Sequence, residues 1–307
     1  MALRTGDIIM GIYKKVPGWK DLSENELKQL KAVLASISED FVNFCESNEI
    51  NYMMGAGTAL GAVRHHGFIP WDDDIDFHVP RKDYNKILEL APKYLGDKYY
   101  IFAPSKDNVS FPSIHLVLKG SSYKNFADVF STDSLNEEEM GIYIDIIPYD
   151  NMSEIKLFRD AKELLMLGLH FIFSCVKIHS DCEAFKKNGI VISSDDYSKL
   201  RLKDIIGKMC GFWSIQKWTR FMDRIAASNN NDKSKWVCCF VGRKFHKYTH
   251  LRADLWGENR ETFEGRRWKI ATNVDWYLTK EYSKDYMTPP PAGKRKIHPV
   301  FKLEFPK

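Results

Sequence analysis

Between residues 24 and 48, apolar side chains return every three or four positions, and Leu27, Leu30, Leu34, Ile37, Phe41 and Phe44 fall on one face of a helix. Ser23 followed by Glu26 has the spacing of a capping box and fixes the start. Asn51-Tyr52-Met53-Met54 reads as a short strand that enters the turn Gly55-Ala56-Gly57-Thr58, and a short helix through Ala59 to Arg64 follows. After the loop 65–70 the period drops to two. Ile75, Phe77 and Val79 alternate with Asp74, Asp76 and His78, which predicts a strand with one apolar and one acidic face. A helix over Lys82 to Leu95, strands at 99–103 and 114–118, and an alternating strand at 142–148 complete a mixed α/β first half.

Past residue 150 the helical period dominates, over 154–176 and again over 197–227. The expected organisation is therefore a catalytic core at 20–150 and a mainly helical region at 151–307 packed on it. Leu164 to Phe173 is apolar nearly all round, which predicts a core helix; contact with a membrane surface is the competing reading. The tail carries a turn at Glu264-Gly265, a helix over 273–282, Pro289-Pro290-Pro291, and the basic residues Lys294, Arg295, Lys296 and His298.

Composition narrows the classes. Hydrophobic residues at 44% and charged residues at 28% describe an ordinary globular chain, and a net charge of +4 is too diffuse for a dedicated nucleic-acid binder. The N-terminal residues lack a signal-like apolar stretch, and no apolar run approaches the ~18 residues of a membrane span, so a cytoplasmic protein is expected, with room for peripheral contact at the inner face of the membrane. Cys45, Cys175, Cys182, Cys210, Cys238 and Cys239 are scattered without CxxC spacing, which favours reduced, buried thiols over a zinc site built from Cys175, Cys182, Cys238 and Cys239.

The chemistry concentrates in Trp71-Asp72-Asp73-Asp74-Ile75-Asp76. On a strand, Asp74 and Asp76 share a face about 7 Å apart, with Asp72 at the same parity, and carboxylates so placed raise one another's pKa unless a cation intervenes. A hard, oxygen-ligated ion such as Mg²⁺ or Mn²⁺ meets that need. Asp145, set between Ile144 and Ile146, reads as a further metal ligand or a base, because a carboxylate in an apolar strand is costly without a partner; a surface aspartate on the strand's wet face is the competing reading. Gly55, Gly57 and Thr58 open a helix whose start could receive a phosphate, and Arg64 and Arg81 flank the acidic strand where phosphate charge would need neutralising.

The segment Gly55 to His65 followed by Gly67-Phe68-Ile69-Pro70-Trp71-Asp72-Asp73-Asp74-Ile75-Asp76 resembles the LicD family, which includes the catalytic regions of fukutin and fukutin-related protein. Ile144-Asp145-Ile146-Ile147-Pro148 fits its second hallmark. Phe263-Glu264-Gly265, Tyr277-Leu278, Tyr282 to Tyr286 and Pro289-Pro290 fit a third, with Ser283 standing where the family usually has glycine and Thr272-Asn273 where it usually has proline. The resemblance implies a nucleotidyltransferase fold like that of DNA polymerase beta. It also implies transfer of an alcohol phosphate, phosphocholine foremost, from a CDP-activated donor to a hydroxyl of a cell-surface glycan or lipid-linked precursor, with CMP released. Two other readings use the same residues: a nucleotidyltransferase that releases pyrophosphate from a nucleoside triphosphate, and a non-catalytic binding protein that kept the fold.

Overall fold

The computed structural model describes residues 5–13, 16–125, 133, 135–241, 245–291, 293, 295 and 300–306; Lys294, Lys296 and His298 of the basic tail lie outside the described residues. A short helix α1 (Thr5–Tyr13) precedes the long α2 (Glu24–Ser47). Ser23 caps α2 as its spacing predicts: its hydroxyl accepts from the Glu26 amide while the Glu26 carboxylate accepts from the Ser23 amide at 2.9 Å. Next come β1 (Met53–Met54), α3 (Ala56–His65), β2 (Asp76–Pro80), α4 (Arg81–Tyr94), β3 (Tyr99–Phe102), β4 (Ile114–Leu118), β5 (Ser122–Asn125) and β6 (Tyr143–Asn151).

The mixed sheet runs β1-β2-β6-β4-β3. Among the described residues only β2 and β6 pair in parallel, and that pairing sets Asp76 directly beside Asp145. β4 runs antiparallel to the other side of β6, opposing His115 to Asp145. Two acidic residues and a histidine therefore occupy one row across three strands.

The second half opens with α5 (Lys156–Lys187), followed by α6 (Ser194–Cys210) and α7 (Ile215–Ala226). The apolar period over 197–227 predicts one helix, but the chain breaks at 211–214, where Ser214 starts α7 by accepting a hydrogen bond from the Lys217 amide. Beyond α7 lie β7 (Trp236–Cys238), α8 (Phe245–Tyr248), β8 (Thr249–Leu251), α9 (Arg252–Leu255), β9 (Arg260–Phe263), β10 (Arg266–Lys269), α10 (Val274–Glu281) and β11 (Val300–Glu304). These short strands, which the helical period conceals, tie the halves together: β7 pairs with the end of β6, and β11 pairs with β5.

One aromatic chain runs through the main core. Phe41 of α2 meets Phe77 of β2 at 5.0 Å, Phe77 meets Trp268 at 5.8 Å, Trp268 stacks on Phe263 at 5.3 Å, and Phe263 reaches Phe68 at 4.9 Å. Each such buried ring contributes about 2 kcal/mol from area alone. The β9–β10 hairpin is thus a wall of the core, and it turns through Glu264 and Gly265, both with positive φ (49° and 75°), as a two-residue hairpin loop requires.

The stretch 164–173 departs from the expected core helix. Met166, Leu169 and His170 are buried, whereas Leu164, Leu165, Leu167 and Phe171 face outward. All six cysteines are free, and five of them are buried.

Candidate active site

The acidic run lies where three backbone contacts converge. The Asp76 amide donates to Thr58 Oγ1 at 2.9 Å, the Gly55 amide donates to the Asp76 carbonyl at 2.9 Å, and the Asp145 amide donates to the Ile75 carbonyl at 3.0 Å. The glycine-rich turn and both carboxylate strands are therefore tied together through main-chain groups and the Thr58 hydroxyl. Gly55 is glycine because a Cβ there would stand 2.5 Å from the His78 ring. At Gly57 a Cβ would meet the Asp72 carboxylate at 2.7 Å, so Asp72 sits over the start of α3, where the helix dipole favours an anion.

Strand geometry begins only at Asp76, yet the alternation extends further back: Asp72, Asp74 and Asp76 are half-buried, while Asp73 and Ile75 are buried. Asp73, on the opposite side, accepts a hydrogen bond from the Tyr123 hydroxyl at 3.2 Å. The Asp76 carboxyl is pushed well above the usual range, first by burial and then by the charges of Asp74, Asp145, Asp72 and Glu281. His78, expected on the acidic face, is instead buried against Tyr149, and burial lowers its pKa to about 3.

Asp145 is held from the next strand. Ser113 Oγ donates to its Oδ1 at 2.7 Å and His115 Nε2 lies 3.0 Å from the same oxygen. His115 is itself clamped between Phe111 at 3.5 Å and Tyr143 at 4.1 Å, both nearly parallel to it. The acidic pairs offer hard oxygen donors suited to a divalent cation, although the described side chains do not already close on a common point.

The C-terminal segment builds the rest of the wall. The Tyr277 hydroxyl accepts from the Ala56 amide at 2.9 Å and lies 3.3 Å from His78 Nδ1, steadying a turn in which Ala56 takes the unfavourable φ of 38°. Glu264 accepts from the Phe68 amide at 3.1 Å, so the β9–β10 turn holds the loop leading into the acidic run. Tyr282 lies near the carboxylates: after burial, the charges of Asp76, Glu281, Asp72 and Asp74 raise its hydroxyl. Lys247 stands over the Tyr282 ring at 5.9 Å.

The two arginines part company. Arg64 is half-buried near Asp72 and Tyr282, and it donates to the Tyr286 carbonyl at 2.7 Å. Arg81 is not brought to the cluster. Its Nε meets Asp150 Oδ1 at 2.6 Å and an Nη meets Asp223 at 2.9 Å, in a buried ion pair that joins α4, β6 and α7. Burial alone would lower its pKa, but Asp150 and then Asp223 hold it above the usual range. Ser113 and His115 escaped the sequence reading; the one available signal was a histidine interrupting the apolar strand 114–118, and its meaning depended on a register that no local pattern encodes.

Residues 49–159 match the sequence profile of LicD, described as the LicD/FKTN/FKRP nucleotidyltransferase domain. The chain is 24% identical over 302 residues to the lipopolysaccharide cholinephosphotransferase LicD of Haemophilus influenzae, an alignment covering 89% of this chain and 96% of that one. Uncharacterized proteins of Rickettsia prowazekii and Rickettsia typhi are each 36% identical over 61 residues, 20% of this chain and 23% and 20% of theirs. Mixed α/β in architecture, and with its acidic row inside the matched segment, the chain carries a LicD-family domain over residues 49–159.

Proposed function

We propose that this protein is a metal-dependent, cytoplasmic phosphotransferase that moves phosphocholine from CDP-choline to a hydroxyl of a cell-surface glycan or its lipid-linked precursor, releasing CMP. The observation that carries the reading is the parallel pairing of Asp76 with Asp145 inside a segment matching the LicD profile. The similarity to a lipopolysaccharide cholinephosphotransferase supplies the choice of group and acceptor class.

Asp74, Asp76 and Asp145, with Asp72 beside them, would hold Mg²⁺ or Mn²⁺, which supplies charge neutralisation for the diphosphate and the departing CMP oxygen. Asp76 suits such an ion because its carboxyl, crowded by Asp74, Asp145 and Asp72, gains most from a cation that lets it ionise. Asp145, with one oxygen engaged by Ser113 and His115, keeps the other for one of two roles, as a ligand of the metal or as the base that accepts the proton of the acceptor hydroxyl. Arg64 supplies a fixed positive charge on the Asp72 side of the row, suited to a phosphate oxygen. The exposed ring of Tyr282, with Lys247 above it, gives the donor a surface to lie on.

A screen of CDP-choline, CDP-ethanolamine, CDP-glycerol and CDP-ribitol, scored by CMP release with a glycan acceptor and Mg²⁺, tests the proposal. CDP-choline should give the highest turnover; if CTP alone yields pyrophosphate and no CDP-alcohol yields CMP, the reading is wrong.

A further inference from the structure

From residue 155 to 171, α5 has its amphipathic pattern inverted. Three of its polar side chains point into the protein: Glu163 accepts from Thr249 Oγ1 at 2.5 Å, Lys162 donates to the Ala226 carbonyl at 2.6 Å, and His170 Nε2 lies 2.7 Å from the Phe240 carbonyl. Apart from Lys156, every exposed residue of this stretch is apolar or glycine. Leu157 is 72% exposed, Leu164 71% and Phe171 48%.

The second helix continues the row. α6 packs closely on α5 through Gly207, where a Cβ would stand 2.1 Å from the Cys175 carbonyl oxygen. Outward from that contact α6 presents Leu202, Ile205 and Met209, exposed by 69%, 47% and 75%, and Phe212 follows at 69%. Leu202, Ile205 and Met209 fall at helical spacing on one stripe of α6, and Phe212 lies just beyond its end. So large an apolar surface on a monomer marks a docking face.

Its charge selects the partner. Arg201 and Lys208 are exposed on α6 and Lys156 on α5, where it pairs with Asp160; no acidic residue is exposed between 161 and 182 or between 197 and 210, where Glu163, Asp181 and Asp204 are buried, and the exposed Glu183 and Asp195 at the far ends of the helices each pair with a lysine. A second copy docking on the same face would bring like charges together. No described helix is long and apolar enough to cross a bilayer, so the face lies on a surface instead of entering it.

We infer that the α5–α6 face binds flat on an anionic lipid surface, with the leucine and phenylalanine side chains inserted among the acyl chains and the lysines and arginine at the level of the headgroups. On the function proposed above, such a position would bring the site to lipid-borne acceptors.

The test is flotation of the full chain with phosphatidylcholine vesicles with and without phosphatidylglycerol, at low and high salt. The protein should float with the anionic vesicles and much less with the neutral ones, and salt should weaken the binding. Leu164→Ser and Met209→Ser should each lower the partition coefficient about tenfold while leaving the circular dichroism melt unchanged, since both side chains are already exposed. Absence of flotation with anionic vesicles, or unchanged flotation of the variants, overturns the proposal. Equal binding to neutral vesicles removes its anionic part. A dimer in sedimentation that Leu164→Ser dissociates assigns the face to a second copy and overturns it as well.

Discussion

Glu281, at the end of α10, gives a stability test that needs no substrate. Its carboxyl is buried, one oxygen has no hydrogen-bond partner, and its pKa is pushed up to about 7 by burial, against the lesser downward pull of Lys247 and Lys280. An exposed glutamate in the unfolded chain titrates near 4.5. Between these values the native state holds a proton that the unfolded state has released, so stability must fall as pH rises through this window. Below pH 4.5 both states are protonated and there is no penalty; above pH 7 both are ionised and the penalty is complete. At about 1.4 kcal/mol per pKa unit, the full effect is about 3 kcal/mol. Glu281→Gln keeps the shape and removes the titration, so its advantage over the parent should grow with pH. Urea unfolding of both proteins at pH 5 and pH 8 measures it: the gap at pH 8 should exceed that at pH 5 by about 2 kcal/mol. A gap that is the same at both pH values, or larger at pH 5, would refute the reasoning.

Other expectations follow from single contacts. Asp150→Asn leaves Arg81 buried with only Asp223 as an anionic partner and should cost about 3–5 kcal/mol in chemical denaturation, whereas an Arg81 that bound substrate phosphate would show its loss mainly in KM. Tyr277→Phe strands the Ala56 amide and should cost about 1–3 kcal/mol, read as a lower thermal midpoint. Ser113→Ala and His115→Gln loosen Asp145 and should each lower kcat by about ten- to a hundredfold with little change in KM for the donor; normal kcat in both would remove Asp145 from the chemistry.

Much of the site was legible because its signals are local. The capping box at Ser23, the glycine turn and the alternation from Asp72 to Phe77 are set by neighbours in sequence, and the burial pattern preserves that alternation even where regular strand geometry has not begun. The rest depended on distant partners. Arg81 is adjacent in sequence to the acidic strand, yet Asp150 and Asp223 claim it, and their pull appears only when β6 and α7 are placed. His115 gains its role solely from the β4–β6 register. The stretch 164–173 has the composition of a core helix, but periodicity does not say what covers each face, and here one face is left uncovered. The break at 211–214 is hidden because apolar residues continue across it, and only the Ser214 cap reveals a new start.

The most direct measurement is CMP release from CDP-choline in the presence of a glycan acceptor, with and without Mg²⁺, for the parent and for Asp76→Asn and Asp145→Asn variants shown to be folded. The account predicts turnover that requires the metal and falls at least about a hundredfold in each variant. Turnover that survives chelation, or that either variant retains in full, would contradict it.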